Sequence, residues 1–307
     1  MLEVLELLET QGATDLVVDG LRGARLLVDG RWRETAVPFA NDREIVVWAR
    51  ALLESCGKRL DAASPYADAY VELGESRFRV HAVLVSGITA RTQVSVRRHS
   101  GKAATLADLI ALGRLTGAAA EGIRGVLARR ESFLISGATG AGKTTLLAAA
   151  LNEIRGERVI IIEDTPELSV SLPWVIGLTT REPNAEGVGR VTASDLVKQT
   201  LRMRPDRVTL GEVRGPEIGA LLEALMSGHP GGGSTIHAGS LGQVAARLSG
   251  LLGKANLGFD AFRNLPELLP WVFQVARAGS GWSFEVGRFG FDARDRLVVE
   301  RVAGWSG

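Results

Sequence analysis

The sequence predicts an α/β protein in which a parallel-sheet core follows a smaller α+β unit. Three observations predict it. From about residue 132 onward, apolar runs of strand length alternate with helix-length segments, the signature of strand–helix–strand units wound into a parallel sheet. The first hundred residues instead carry short alternating strands around one helical pattern, which suits an antiparallel sheet. Between them, a glycine-rich run joins an apolar strand to a helix-prone stretch. With 307 residues, 46% of them hydrophobic, the chain can fill two cores.

Taken in order, the first unit should hold strands at Asp15 to Asp19, Arg25 to Val28 and Trp32 to Val37, the last two joined by a turn at Asp29-Gly30. Asp42 is placed to cap a helix running to about Cys56, followed by strands at Tyr70 to Leu73, Arg77 to Leu84 and Gln93 to Arg97. The apolar pattern lapses around His99-Ser-Gly-Lys-Ala, which marks the junction. Helices are expected at Thr105 to Leu112 and Ala118 to Ala128. The domain expectation is therefore an α+β unit over 1–99, a joining segment with helices over 100–130 and the core over 131–307.

Within the core, strands are expected at Phe133 to Ile135, Val159 to Ile162, Ile176 to Thr179, Val208 to Leu210 and Ser234 to Ile236. Helices should run from Lys143 and over Ala193 to Arg202, Pro216 to Met226 and Leu241 to Leu252. Trp271 to Ala276, Trp282 to Val286 and Leu297 to Val302 read as a short antiparallel addition.

Charge and cysteine usage exclude several classes. There are 36 Lys and Arg against 35 Asp and Glu, a net charge of +1, so no overall field draws the chain to nucleic acid or to an anionic membrane. Met1-Leu-Glu-Val-Leu-Glu is acidic where a signal peptide is basic, and no apolar run reaches the roughly 18 residues of a membrane span; the expected location is the cytoplasm. The single cysteine, Cys56, excludes an internal disulfide and a paired-cysteine metal module, and is expected to pack as a small side chain.

Gly137-Ala-Thr-Gly-Ala-Gly-Lys143-Thr144 fits the phosphate-binding pattern G-x-x-x-x-G-K-[ST] at every fixed position, after a strand and before a helix. Backbone N–H groups of Gly137, Ala138, Thr139, Gly140, Ala141 and Gly142 can curve around phosphates, and the helix opening at Lys143 adds its positive end. Lys143 would reach the β- and γ-phosphates, Thr144 would offer its hydroxyl to Mg²⁺, and Thr145 is placed for the α-phosphate. The chain should bind a nucleoside triphosphate.

Carboxylates follow at the ends of two further strands. Glu163 and Asp164 close Val159-Ile-Ile-Ile162, a position from which they could face Mg²⁺ or its waters, because ligands sit at the C-terminal ends of parallel strands. Gly211-Glu212-Val-Arg214 closes Val208-Thr-Leu210; Glu212 is the candidate to orient or deprotonate an attacking water. In Gly228-His-Pro-Gly-Gly-Gly-Ser-Thr-Ile-His237 a strand would deliver His237 to the same edge to hydrogen-bond the γ-phosphate. A metal pair of His229 and His237 lacks a cysteine or close carboxylate. His81 and His99 read as structural.

Taken together, Gly137 to Thr144, Ile162-Glu-Asp-Thr-Pro-Glu-Leu168, Leu201-Arg-Met-Arg-Pro-Asp206, Gly211-Glu-Val-Arg-Gly215 and Thr235-Ile-His-Ala238 resemble the secretion ATPases of type II and type IV systems and pili. The tight-adherence pilus branch, CpaF-like, is the most similar; a tetracysteine module found in some type II relatives is absent. The chain departs from the family's habit at Val83-Leu-Val-Ser-Gly87, where a proline-containing segment is usual, and at Pro230-Gly-Gly-Gly233, a change that bears on loop mobility.

The resemblance implies a RecA-like P-loop core with a smaller N-terminal domain, ATP and Mg²⁺ as ligands, and assembly into a homohexamer. It implies work on an inner-membrane platform protein of a pilus or secretion machine, from the inner face of the membrane. It makes Glu212 the catalytic glutamate, assisted by Lys143, Glu163 and His237, and Thr144, Glu163 and Asp164 the metal side of the site. Arg79, Arg97 and Arg98 fall where the family places cations that approach the phosphates, a task suited to guanidinium; Arg181, Arg202 and Arg214 are comparable candidates. The alternatives are a conjugation-type ATPase, which shares the same motor and is not separated by residues alone, and a nucleic-acid motor, against which the near-neutral charge and only two tyrosines speak, although six tryptophans and nine phenylalanines leave stacking open. A nucleotide switch without catalysis would leave Glu163, Glu212 and His237 idle.

Overall fold

A computed structural model of the chain describes residues 2–10, 12–36, 39–73, 76–85, 88–99, 103–183, 187–255, 262–278 and 281–304. Val37 of the third expected strand, Ser86 and Gly87 of the departing segment and residues 100–102 of the expected junction lie outside that set. Two units emerge, Met1–Lys102 and Ala103–Gly307. Helices expected to join the lobes, α3 (Leu106–Ala111) and α4 (Gly117–Ala128), pack into the core of the second unit.

The first unit opens with α1 (Leu2–Glu6), a helix the sequence pattern did not announce, whose Val4 and Leu5 are buried. Strands β1 (Ala13–Asp19), β2 (Ala24–Val28), β3 (Arg31–Thr35), β4 (Tyr66–Leu73), β5 (Ser76–Val83) and β6 (Gln93–His99) form one sheet in the order β3-β2-β1-β6-β5-β4, antiparallel throughout. Period-two alternation sends Leu16, Val18, Phe78, Val80, Val94 and Val96 to one face, where Ile45, Trp48 and Leu52 of α2 (Asp42–Glu54) cover them. Arg79 and Arg97, paired across β5 and β6, stand on the other face with Asp15 and Asp68. The cap of α2 is Asn41 rather than Asp42: Asn41 Oδ1 accepts from Glu44 N at 3.1 Å, and the Glu44 carboxylate returns to Ala40 N at 2.9 Å. Asp42 is instead held by Thr92, whose hydroxyl donates to it at 2.8 Å. Cys56 donates to Tyr70 O at 3.1 Å, a packed thiol.

The second unit is built on β7 (Phe133–Gly137), β8 (Val159–Glu163), β9 (Val175–Thr179), β10 (Arg207–Leu210), β11 (Gly233–His237), β12 (Trp271–Ala278), β13 (Gly281–Phe291) and β14 (Leu297–Arg301), in the order β14-β13-β12-β7-β11-β10-β8-β9. Phe133, Ile135, Val159 and Ile161 pack against α3, α4 and α5 (Lys143–Leu151) on one face. Leu134, Ile162, Val208 and Leu210 face α6 (Ala193–Thr200), α7 (Glu217–Met226) and α8 (Leu241–Lys254) on the other. Burial on both faces explains why these strands read as unbroken apolar runs. Thr105 with Asp108 and Thr192 with Asp195 form capping boxes that start α3 and α6. The short α9 (Leu265–Leu268) leads into β12.

One expectation about this unit changes. The tail is not wholly antiparallel: β12 runs parallel to β7, and only β13 and β14 turn back. Apolar alternation marks a strand without its direction, so nothing local distinguished β12. The glycines that lead into β11 serve close packing. A Cβ on Gly232 would lie 2.0 Å from Val208 O, and one on Gly233 2.6 Å from the Phe133 ring.

Candidate nucleotide site

Strand order brings the predicted residues together. In the run β7-β11-β10-β8 all pairings are parallel, so four C-terminal strand ends share one edge. Register does the rest: His237 lies beside Gly137, and Leu210, just before Gly211-Glu212, lies beside Ile162, just before Glu163.

Gly137 is buried at the end of β7, Ala138, Thr139 and Gly140 are exposed, and Ala141 turns back into the core. Gly142 precedes α5 with φ 87°, a left-handed conformation that favours glycine. Lys143 is almost wholly buried, its Nζ donating to Ala138 O at 3.0 Å and lying 3.2 Å from His237 Nδ1. Burial pulls its pKa below the usual lysine value, opposed by the nearby Glu212 and assisted by Arg214.

Beyond His237 the contacts continue as a relay. His237 Nε2 lies 2.9 Å from Glu212 Oε1, and Arg214 reaches Glu212 Oε2 at 2.5 Å. Arg214 also stands 3.6 Å from Asp164, whose other oxygen accepts from the Thr180 hydroxyl at 3.0 Å. The imidazole is close to Glu212 Oε1 but off the line of a hydrogen bond, so that buried oxygen has no donor among the described residues. Burial first, then the Lys143 charge, lowers the His237 pKa, while Glu212 opposes them. A neutral ring accepting from Lys143 at Nδ1 carries its proton on Nε2, toward Glu212. The bond to Glu212 raises the pKa of Arg214.

Glu163 occupies a separate niche. Its Oε1 accepts from the backbone N–H groups of Glu167 and Leu168, each at 3.0 Å. Burial nonetheless pushes its carboxyl up to about 7. Its side chain passes over Gly211, where a Cβ would sit 2.8 Å from Glu163 Cγ. This close approach is a physical reason for glycine at a position where many phosphate-loop enzymes carry an aspartate.

The structure thus gathers Lys143, His237, Glu212 and Asp164 at the phosphate loop, with Glu163 beside them, and among the candidate arginines it adds Arg214. Arg181 donates to Gly189 O, and Arg202 lies 3.4 Å from Lys198 O. In the first unit Arg97 pairs with Asp15 at 2.7 Å and Arg79 with Asp68 at 3.7 Å, whereas Arg98 points to the opposite face and binds Leu8 O at 2.9 Å and Glu9 at 2.8 Å. His229 lies 3.1 Å from Pro205 O, apart from the His237 relay. Sequence reasoning missed Arg247, an exposed cation on α8 whose charge bears on His237. It also missed Trp282, whose ring lies against Gly142. Neither carries a local motif; α8 and β13 reach the loop only through the fold.

Residues 67–269 match the family model described as "Type II/IV secretion system protein". A putative conjugal transfer protein of Mycobacterium tuberculosis is 40% identical over 280 residues, 90% of this chain and 80% of that protein. The probable conjugal transfer protein TrbB of Sinorhizobium fredii is 33% identical over 248 residues, 80% of this chain and 70% of that one. The crystal structure of the pilus retraction motor PilT with bound ADP has a TM-score of 0.64 at 19% identity, covering 99% of this chain and 84% of that one, a likeness of fold.

Proposed function

The chain belongs to the type II/IV secretion system protein family, and we propose that it is the cytoplasmic homohexameric ATPase of a pilus-assembly or protein-secretion machine of the tight-adherence kind. The chemistry is ATP hydrolysis by in-line attack of water. The observation that carries it is the convergence of Lys143 and Glu212 through His237 at the phosphate loop. Lys143 would leave Ala138 O for the β- and γ-phosphates, and Gly137 to Thr145 would cradle the tail. Glu212 Oε1, buried and without a donor among the described residues, is the oxygen that would take a hydrogen bond from the lytic water. Arg214 holds the other oxygen of the same carboxylate at 2.5 Å, and His237 Nε2 stands 2.9 Å from Oε1.

The hydroxyl of Thr144 and the carboxylates of Asp164 and Glu163 are hard oxygen donors of the kind Mg²⁺ accepts. No group of three or more His, Cys, Asp or Glu able to hold a metal occurs among the described residues, which suits an ion bound largely through nucleotide phosphates and water. Bound there, Mg²⁺ would neutralise phosphate charge.

Glu212→Gln tests the assignment: nucleotide affinity should persist while turnover falls by about 100-fold or more. Undiminished hydrolysis removes Glu212 as the base. Mass in solution with and without a non-hydrolysable ATP analogue tests the hexamer. No described helix is long and apolar enough to cross a membrane, so force would pass to a membrane platform protein.

A conjugation-type ATPase is the second reading, favoured by the names of the Mycobacterium and Sinorhizobium relatives. It predicts turnover stimulated by a transfer channel's components. A nucleic-acid motor would add DNA binding that weakens steeply with salt.

A further inference from the structure

Beside the phosphate loop, on the flank away from Glu212, two arginines lie close to one tryptophan ring. Trp282, the second residue of β13, lies close enough to the loop that a Cβ on Gly142 would stand 3.1 Å from its ring. The Arg114 guanidinium lies 4.5 Å from the ring centroid, and that of Arg277, its cross-strand neighbour on β12, 5.3 Å. Neither arginine has an acidic partner among the described residues. Burial lowers the Arg114 pKa, and the charge of Arg277 lowers it further. Two cations gathered on one indole without a counter-charge repel each other, and cation–π contact offsets only part of that. Such an arrangement is relieved by a ligand that brings both negative charge and an aromatic plane.

Its position says which part of a ligand that is. Sheet order places β7 between β12 and β11, with His237 and Glu212 on the β11–β10 side and Trp282 and Arg277 on the β13–β12 side. Thr145, assigned to the α-phosphate, lines the same cleft as Arg114 and Trp282. A triphosphate whose γ end meets Glu212 therefore carries its nucleoside toward the tryptophan.

We propose that Trp282 and Arg114 form the platform on which the base of the bound nucleotide stacks, with Arg277 adding positive charge on the same flank. The proposal rests on the nucleotide-site assignment above and names the residues that receive the other end of that ligand. Every base has a π-face, and guanidinium and indole planes both stack on it. The platform thus contributes affinity without selecting one base.

The test compares a ligand that has a base with one that lacks it. Binding of ADP and of inorganic tripolyphosphate, each with Mg²⁺, is measured calorimetrically for the full chain and for Trp282→Ala, Trp282→Phe and Arg114→Ala, with thermal unfolding of each. Trp282→Ala and Arg114→Ala should weaken ADP about tenfold or more and leave tripolyphosphate as in the wild type; Trp282→Phe should retain most of the ADP affinity. ADP should also change tryptophan fluorescence in the wild type but not in Trp282→Phe. Unaltered ADP affinity in both alanine variants, equal loss for both ligands, or the same fluorescence change in Trp282→Phe overturns the platform while leaving the phosphate site standing. A wild-type chain that binds neither ligand overturns the nucleotide site itself, and the platform with it.

Discussion

Glu163 should make the stability of the nucleotide-free chain depend on pH in a direction unusual for a carboxylate. Burial raises its folded pKa from the ordinary 4.5 to about 7, against the pull of the Glu167 and Leu168 amides. Between those values the native state holds a proton that the unfolded state has released. The contribution is fully present below about 4.5 and is lost as the pH rises toward and through 7. At about 1.4 kcal/mol per unit of pKa difference, its span is about 3 kcal/mol. Glu163→Gln keeps the shape and an amide-accepting oxygen but removes the titration. Urea denaturation from pH 5 to pH 8, without nucleotide or metal, should show the variant gaining on the wild type by up to about 2.5 kcal/mol across the range. Parallel curves for the two proteins would refute the argument, because they would mean that the buried carboxyl ionises as freely as an unfolded one.

Other residues yield sharper tests of role against structure. Arg207 is 2% exposed and donates to the Glu157 carboxylate at 2.9 and 2.7 Å, to Gly231 O at 3.1 Å and to Leu127 O at 2.8 Å; Arg207→Ala should cost about 1–3 kcal/mol, read from the urea midpoint, by leaving the two carbonyls without that donor, while Glu157 keeps Arg130 at 3.3 Å. Arg98→Ala should chiefly destabilise, by about 1 kcal/mol, through its lost bonds to Leu8 and Glu9. Arg214 holds Glu212 Oε2, so Arg214→Ala should lower kcat more than it raises KM. That loss should vanish in a Glu212→Gln background if Arg214 acts only through the carboxylate; a loss that persists there would place the guanidinium on the phosphates.

What the sequence made legible follows from the range over which each signal acts. The phosphate loop was legible because its glycines, lysine and threonines must be contiguous, and the parallel strands because burial on both faces leaves an apolar run. Asn41 was overlooked as the cap of α2 because Asn41 and Asp42 are both competent acceptors; only the Glu44 amide at 3.1 Å decides between them. Strand direction was illegible at β12, where the partner lies some 140 residues away in sequence, as Trp271 pairs with Phe133. The Trp282 cluster joins the α3–α4 turn, the phosphate loop and a C-terminal hairpin, so no window of sequence contains it.

The relay from Lys143 to Asp164 also orders what a nucleotide must do on arrival. Without it, Lys143 is engaged with Ala138 O and His237 Nδ1, and Glu212 Oε2 with Arg214. Glu212 Oε1, by contrast, has no donor among the described residues. An incoming triphosphate competes for Lys143 as the more strongly charged acceptor. In the proposed mechanism this would release His237 Nδ1 and let the imidazole turn its Nε2–H to Glu212 or to the γ-phosphate. Engagement of the phosphates by Lys143 and orientation of the Glu212 carboxylate would then be coupled, because His237 lies against both side chains.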